Sequence, residues 1–274
     1  MNERRYLVLD IETITDWSLV RQVFGLSADA TLEEMRNSIS TRYTRGFPPP
    51  PFHIPICIAL IDVDFETCKV TNAIVLDHPE EKDLLQRFWR ILKLRKVRNE
   101  MQPVESIMVH FNGRGFDLPV LFYRSLKHRV PIVNWDRNRY SFESSHDICE
   151  DLGDFGATSR PSLDVVSKML GLPGKLDIDG SHVEELYIKG ERSRIKDYCM
   201  EDALATYYIW LTIRFIRGQI SNEKYNEAFS CAAETVKTSR ALTEAYPNAA
   251  SESASESPSE SASESPSESS SESA

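Results

Sequence analysis

Residues 6–13 read Tyr-Leu-Val-Leu-Asp-Ile-Glu-Thr, an apolar run broken by two carboxylates two positions apart. Side chains alternate along a strand, so Leu7, Leu9 and Ile11 share one face while Val8, Asp10 and Glu12 share the other. Apolar residues on both faces predict a strand inside a sheet. Two unpaired carboxylates facing one way there cost several kcal/mol or force a proton onto one of them. Either the strand ends at water, or something cationic lies between Asp10 and Glu12.

The pattern then breaks for about forty residues, with a helix predicted near residues 31–37 and a polyproline stop at 48–51. This insertion, about residues 15–53, reads as a flap or lid. Two Ile- and Val-rich runs, 54–63 and 69–76, flank a mostly polar turn and predict an antiparallel hairpin. Over 80–94 the apolar stripe Leu84, Leu85, Phe88, Leu92 predicts a helix, with Lys93, Arg95, Lys96 and Arg98 as a cationic end suited to the helix dipole. A short strand, 106–111, follows and runs through Asn112-Gly-Arg-Gly-Phe116 into a helix carrying Leu118, Leu121, Phe122 and Leu126. Asp117 sits at that junction, where an N-cap and a third acid at the carboxyl end of the sheet are both available readings.

Further on, Arg124, Lys127, Arg129, Arg137 and Arg139 interleave with Phe122, Tyr123, Trp135 and Tyr140. Those letters suit single-stranded nucleic acid, where bases stack and phosphates pair, and equally an ordinary mixed surface. His146-Asp147-Ile148 predicts a short strand, and 162–170 a helix stopped by Gly171. Residues 172–190 read as loop. A helix over 194–217 carries Leu204, Tyr208, Leu211 and Phe215 as its core stripe and places Tyr198 and Asp202, four apart, on one face. A last amphipathic helix spans about 222–245, with Tyr225, Phe229 and Val236 as packing residues.

Composition changes this picture at one end only. With 274 residues and 41% hydrophobic content the chain can bury one full-sized core. Residues 251–274, by contrast, are three Ser/Glu octads without a large apolar side chain, and the tail from 247 is predicted to be disordered. That repeat holds six Glu and no Lys or Arg, so of the net charge of -10 it carries -6, leaving the body 32 cations against 36 acids, or -4. The body is too mildly acidic to advertise a polyanionic partner, although a site for divalent cations leaves excess carboxylates in the bare sequence. Five cysteines without a Cys-x-x-Cys pair predict neither a zinc finger nor a disulfide framework. No apolar leader and no run of 18 apolar residues occurs, which predicts a cytoplasmic protein with no membrane partner.

Asp10-Ile11-Glu12-Thr13, Asn112-x-x-x-Phe116-Asp117 and Tyr198-x-x-x-Asp202 resemble, in order and approximate spacing, the three exonuclease motifs of the DEDD superfamily. Tyrosine rather than histidine in the third makes the likeness DEDDy. The first two motifs are worded most like the proofreading domain of B-family DNA polymerases, and the chain resembles the stand-alone predicted 3′-5′ exonucleases related to that domain. The likeness runs over about residues 5–217, including His146-Asp147 and the helix at Leu163, and says nothing of the insertion, the last helix or the tail.

The resemblance implies an α/β fold with a ribonuclease H-like mixed five-stranded sheet flanked by helices. An exonuclease domain would span 1–220, followed by a helix over 221–246 and the tail from 247 to 274. It implies two divalent ions, Mg²⁺ or Mn²⁺. Asp10 would bridge both, Glu12 and Asp202 would complete the first ion's ligands, and Asp117 would hold the second. Tyr198 would orient the attacking water, while Asn112, Phe116 and Thr13 would meet the terminal nucleotide. The implied substrate is a single-stranded or frayed 3′ end, DNA favoured over RNA, and a separate DNA polymerase or repair protein is the implied partner. A non-catalytic nucleic-acid-binding or polymerase-associated module with the same fold stays open beside the enzyme, but all four acids and the tyrosine are present, which favours catalysis. A complete polymerase is excluded, since there is no room for a palm domain and no Tyr-Gly-Asp-x-Asp sequence.

Overall fold

The apolar run at the N-terminus forms β1 (Glu3–Thr15), the middle strand of a sheet in which almost every side chain from Tyr6 to Ile11 is buried. The structure, a computed structural model, describes residues 3–43, 46–97, 100–132, 144–172 and 182–245. The Ser/Glu repeat and the calls on Trp135, Arg137, Arg139 and Tyr140 lie outside the described residues. β2 (His53–Asp64) pairs antiparallel with β1, and β3 (Val70–Leu76) with β2, as the hairpin pattern predicts. Helix α3 (Glu81–Lys93) then leads to β4 (Leu94–Val97) and β5 (Glu100–His110); β5 lies parallel to β1, and β6 (Ser145–Asp147) lies parallel to β5. The order is β3-β2-β1-β5, with β4 and β6 beyond β5, the mixed α/β arrangement of a ribonuclease H-like sheet.

Among the described residues the sheet has six strands, not the five expected. The extra one is β4, read from sequence as the cationic end of a helix. Lys and Arg favour a helix only weakly, and here α3 stops at Lys93 while residues 94–97 fold back antiparallel on β5, so tertiary pairing overrides propensity. The strand at 106–111 is correspondingly longer, beginning at Glu100.

Alternation along β1 sorts its two faces into two cores. Leu7, Leu9 and Ile11 pack with α3 and with α4 (Asp117–His128), while Tyr6 and Val8 pack beneath α8 (Arg192–Ile216). Asp10 and Glu12, in phase with Val8, therefore stand on the α8 side. The core stripe expected for α8 is shifted: Tyr207, Trp210 and Leu211 are fully covered, whereas Leu204 and Phe215 are only partly buried. The reason is that α8 packs on the sheet beside α9 (Asn222–Ala245), which itself lies against β3 and whose Ala228, Ala232 and Val236 join the same core, and so is covered on several sides. Between β6 and α8 come three short helices, α5 (Ile148–Leu152), α6 (Leu163–Met169) and α7 (Val183–Ile188); the last lies in the stretch read as loop.

The insertion is a small helical unit with its own core. α1 (Trp17–Phe24) begins directly after β1, capped by Asp16, and α2 (Leu32–Arg42) is closed by a capping box between Thr31 and Glu34. Val20, Met35, Ile39 and Phe52 form its apolar centre. Arg124 pins it to the body. This side chain is only 2% exposed and bonds Asp16 at 2.7 Å and both Glu81 carboxylate oxygens. Arg124 is thus a buried structural hub and not part of a nucleic-acid face, because its planar fork satisfies two carboxylates from separate elements. Among the described residues no helix is long and apolar enough to cross a membrane.

Candidate active site

Three elements bring the acids together. Asp10 and Glu12 stand on β1 opposite Ala59 and Cys57 of β2, and the pairing slips by one residue immediately after Glu12, leaving Ile56 of β2 without an opposite residue. Across from them α8 presents Tyr198 and Asp202, 3% and 7% exposed, on one face. Asp117 arrives from the other layer at the start of α4, where its carboxylate accepts the Ile11 amide of β1. The N-cap reading of Asp117 does not hold: Phe116 occupies the cap position, and Asp117 is the first helical residue. Asp10, Glu12, Asp117 and Asp202 line one cleft of about 560 Å³, together with Asn112 and Phe116.

Crowding makes these carboxylates hard to ionise together. Burial raises the pKa of Asp10 well above the usual range, and Glu12, Asp117 and Asp202 add to the effect. Asp117 is pushed up to about 6, mainly by burial and partly by Asp147. The inner oxygen of Asp10, Oδ2, is out of solvent and accepts no hydrogen bond among the described residues, although the residue keeps some exposure to the cleft. Tyr198 is driven far above the ordinary phenol value by burial, then by Asp202, Glu12 and Asp10, and it hydrogen-bonds to Asp202. The tyrosine is accordingly a protonated donor at any working pH.

Cys199 was not foreseen. Its Sγ and one carboxylate oxygen each from Asp10 and Glu12 lie within 4.8 Å of one another, spacing that could hold a metal ion. The thiol is fully buried, donates to the Asp10 carbonyl at 3.4 Å, and has its pKa pushed up by burial and by the thiol of Cys57. It is therefore a neutral wall behind the carboxylates, and the donors facing the cleft are hard oxygens. No sequence signal separates Cys199 from the other four cysteines; only the packing of α8 against β1 does.

The loop of residues 112–116 is held by a buried network, and this explains its two glycines. Asp147 accepts the backbone N–H groups of Asn112, Arg114 and Glu150 at 3.0, 2.9 and 3.2 Å. His110, fully buried beneath, bonds Ser145 Oγ at 2.7 Å, and its Nδ1 faces Asp147 at 3.5 Å. A Cβ on Gly113 would fall 2.5 Å from the buried His110 ring, so that position must be bare, whereas one on Gly115 would fall 2.6 Å from Asn112 Oδ1 and require that amide to move. Asn112 itself takes φ 60°, the left-handed conformation that asparagine tolerates. His110 and these amides hold Asp147 at about 2, against its burial. Such a depressed carboxylate contributes stability that is complete above the ordinary carboxylate pKa and is lost as pH falls through about 2. Asp147→Asn, which turns one acceptor into a donor facing backbone N–H groups, is expected to destabilise the protein by roughly 1–3 kcal/mol at neutral pH. Urea unfolding measures this, and a variant as stable as wild type would remove the network from the account.

Each predicted site residue has a definite place. Asp10, Glu12, Asp117 and Asp202, with Asn112 and Phe116, line the cleft, and Tyr198 abuts it through Asp202. Thr13 is turned toward the insertion, its hydroxyl 3.0 Å from His53 Nδ1. Because His53 Nε2 faces the Pro48 carbonyl at 2.9 Å, that nitrogen carries the proton, and Thr13 donates to Nδ1.

A search among curated proteins found no match. Among solved structures, a chain described as an ExoI/SSB-Ct complex aligns with 72% of this chain at 14% identity and a TM-score of 0.38; the alignment spans 43% of that chain. The model of a family described as predicted 3′-5′ exonucleases related to the exonuclease domain of PolB matches residues 45–250, taking in Asn112, Phe116, Asp117, Tyr198 and Asp202, while Asp10 and Glu12 precede the match. With well over half of its 274 residues matched, and the remaining two acids delivered to the same cleft by β1, the chain belongs to the family of predicted 3′-5′ exonucleases related to the exonuclease domain of PolB.

Proposed function

We propose that this protein is a metal-dependent exonuclease that removes nucleotides from a single-stranded or frayed 3′ end, DNA favoured over RNA. The observation that carries the reading is the convergence of four acids from three elements on one cleft, with an inner Asp10 oxygen that has no hydrogen-bond partner among the described residues. Buried carboxylates that repel one another fit cations, and the oxygen donor set suits Mg²⁺ or Mn²⁺. Asp10 would lie between two ions, with Glu12 and Asp202 completing the ligands of the first and Asp117 reaching the second. When bound, such a pair supplies an activated hydroxide and offsets charge on the entering and leaving oxygens of phosphoryl displacement. Tyr198 orients the attacking water through its hydroxyl. Asn112 and Phe116 hold the terminal nucleotide, and Thr13, through His53, shapes the wall beside it.

We take residues 1–220 as the nuclease unit and α9 as its buttress, working in the cytoplasm, with a polymerase or repair protein on another chain as partner. Incubating the protein with 5′-labelled single-stranded DNA and RNA of matched sequence, in Mg²⁺, Mn²⁺ or chelator, tests the core of this. A ladder of progressively 3′-shortened products, faster on DNA and absent with chelator, is expected. Binding without hydrolysis under every condition would make the chain a nucleic-acid-binding module instead.

A further inference from the structure

Along one edge the support of β1 ends early. Among the described residues β5 pairs with it only from Glu3 to Val8, whereas β2 accompanies it as far as Thr15. Asp10 and Glu12 therefore stand on a two-stranded ribbon, close to the place where its register slips. Such ribbons twist more and hold less firmly than strands paired on both sides, and a slip in register adds to the twist. Groups that converge on a cation have to be held to about 0.5 Å. Glu12 and Asp202 come from different elements, so that precision depends on what fixes the end of β1.

Two consecutive residues fix it from opposite layers. Asp16 reaches Arg124 of α4 at 2.7 Å and Lys127 at 3.2 Å, on the side of the sheet where Leu9 and Ile11 are buried. Trp17 turns the other way, and its indole Nε1–H donates to Glu184 Oε1 of α7 at 2.5 Å. Through Val183 and Leu186, α7 belongs to the core that holds Tyr6 and Val8. Arg36 of α2 faces the second Glu184 oxygen at 3.7 Å and lies 6.0 Å from the Trp17 ring. We propose that Trp17 and Glu184 are positioning residues: their hydrogen bond braces the end of β1 against α7 and thereby sets Glu12, and with it Asp10, at the distance from α8 that a cation requires. The cation rests on the exonuclease reading, whereas the brace does not. Neither residue belongs to a motif, and Trp17 precedes residue 45, where the family match begins.

The test compares the full-length wild type with Trp17→Phe, Glu184→Leu and Glu184→Gln. Phenylalanine keeps a ring and removes the donor, leucine removes the acceptor, and glutamine keeps an accepting oxygen while removing the charge that faces Arg36. The first measurement is amide hydrogen exchange in chelator, resolved along β1. Trp17→Phe and Glu184→Leu should speed exchange over residues 9–15 by roughly tenfold, the scale of one lost hydrogen bond, with residues 3–8 unchanged. The second is Mn²⁺ affinity by electron paramagnetic resonance, which needs no turnover. Affinity should weaken by about tenfold or more in the same two variants, the range seen when groups behind metal ligands are removed. Glu184→Gln should stay within about twofold of wild type in both, and the Phe/Leu double variant should lose no more than the worse single one, since all three break one bond. Unchanged exchange over 9–15, an equal rise along all of β1, unaltered Mn²⁺ affinity in loosened variants, or a glutamine as harmful as leucine would overturn the proposal. A wild type that binds no Mn²⁺ would remove the exonuclease reading, and the exchange measurement would then decide on the brace alone.

Discussion

Asp10→Ala is expected to abolish nuclease activity while leaving the metal-free thermal midpoint equal to or above that of wild type. Most buried-residue replacements lower stability, so the sign is diagnostic. Asp10 is surrounded by Glu12, Asp117 and Asp202, and its Oδ2 is buried without a hydrogen-bond partner among the described residues, so ionising it without a cation costs the folded state more than the unfolded one. The same logic fixes a pH dependence. A carboxyl whose folded pKa is raised destabilises the fold at high pH, and the penalty is relieved as pH falls through that raised value. For Asp117 this lies near 6, and Asp10 shifts in the same direction. Metal-free wild type should therefore gain thermal stability on going from slightly alkaline pH to about 5, whereas Asp10→Ala should gain less. Added Mn²⁺ should raise the wild-type midpoint and flatten its profile, because binding to the native state alone stabilises it. An alanine variant that unfolds far below wild type in chelator would show that Asp10 is structural.

The second large effect separates water positioning from metal binding. Tyr198 hydrogen-bonds to Asp202 one helical turn away, and its proton is held far more tightly than in water, so it acts as a donor rather than a base. Tyr198→Phe keeps the ring and its packing in the core and removes one hydroxyl. Turnover should then fall, by up to roughly 10² to 10⁴, while Mn²⁺ affinity and oligonucleotide binding hold. Asp202→Asn deletes a charged oxygen donor instead. Both metal affinity and turnover should drop, with partial recovery at high Mn²⁺. Single-turnover rates equal to wild type for Tyr198→Phe would make the tyrosine a packing residue only.

The arrangement leaves room for division of labour between the family-matched body and the insertion. The body supplies Asp117, Tyr198 and Asp202 on elements whose placement depends on the sheet. The insertion is a helical unit with its own small core, tied to the body through Arg124 and through a hydrogen bond from Trp17 to Glu184 at 2.5 Å. The insertion itself meets the acid-lined cleft through Tyr43 and residues 47–50. Specificity can thus vary there without disturbing the carboxylates, as is usual for loops on a rigid scaffold.

Sequence alone determined those parts of this protein that rest on local periodicity. Two-residue alternation put Asp10 and Glu12 on one side of an otherwise apolar strand, and four-residue spacing put Tyr198 and Asp202 on one face of a helix; both hold in the structure. Only tertiary structure decided the rest. β4 exists because residues 94–97 find β5 as a partner, a contact that outweighs the helical preference of Lys and Arg. Arg124 looks like a surface cation until the fold brings Asp16 and Glu81 to it from far along the chain. Cys199 and His53 acquire meaning only from neighbours on other segments: the carboxylates of β1 and the carbonyl of Pro48. Local pattern reports which face a side chain takes on its own element. It carries no record of which other element that face will meet, because the choice is made by burial and pairing energies summed over the whole chain.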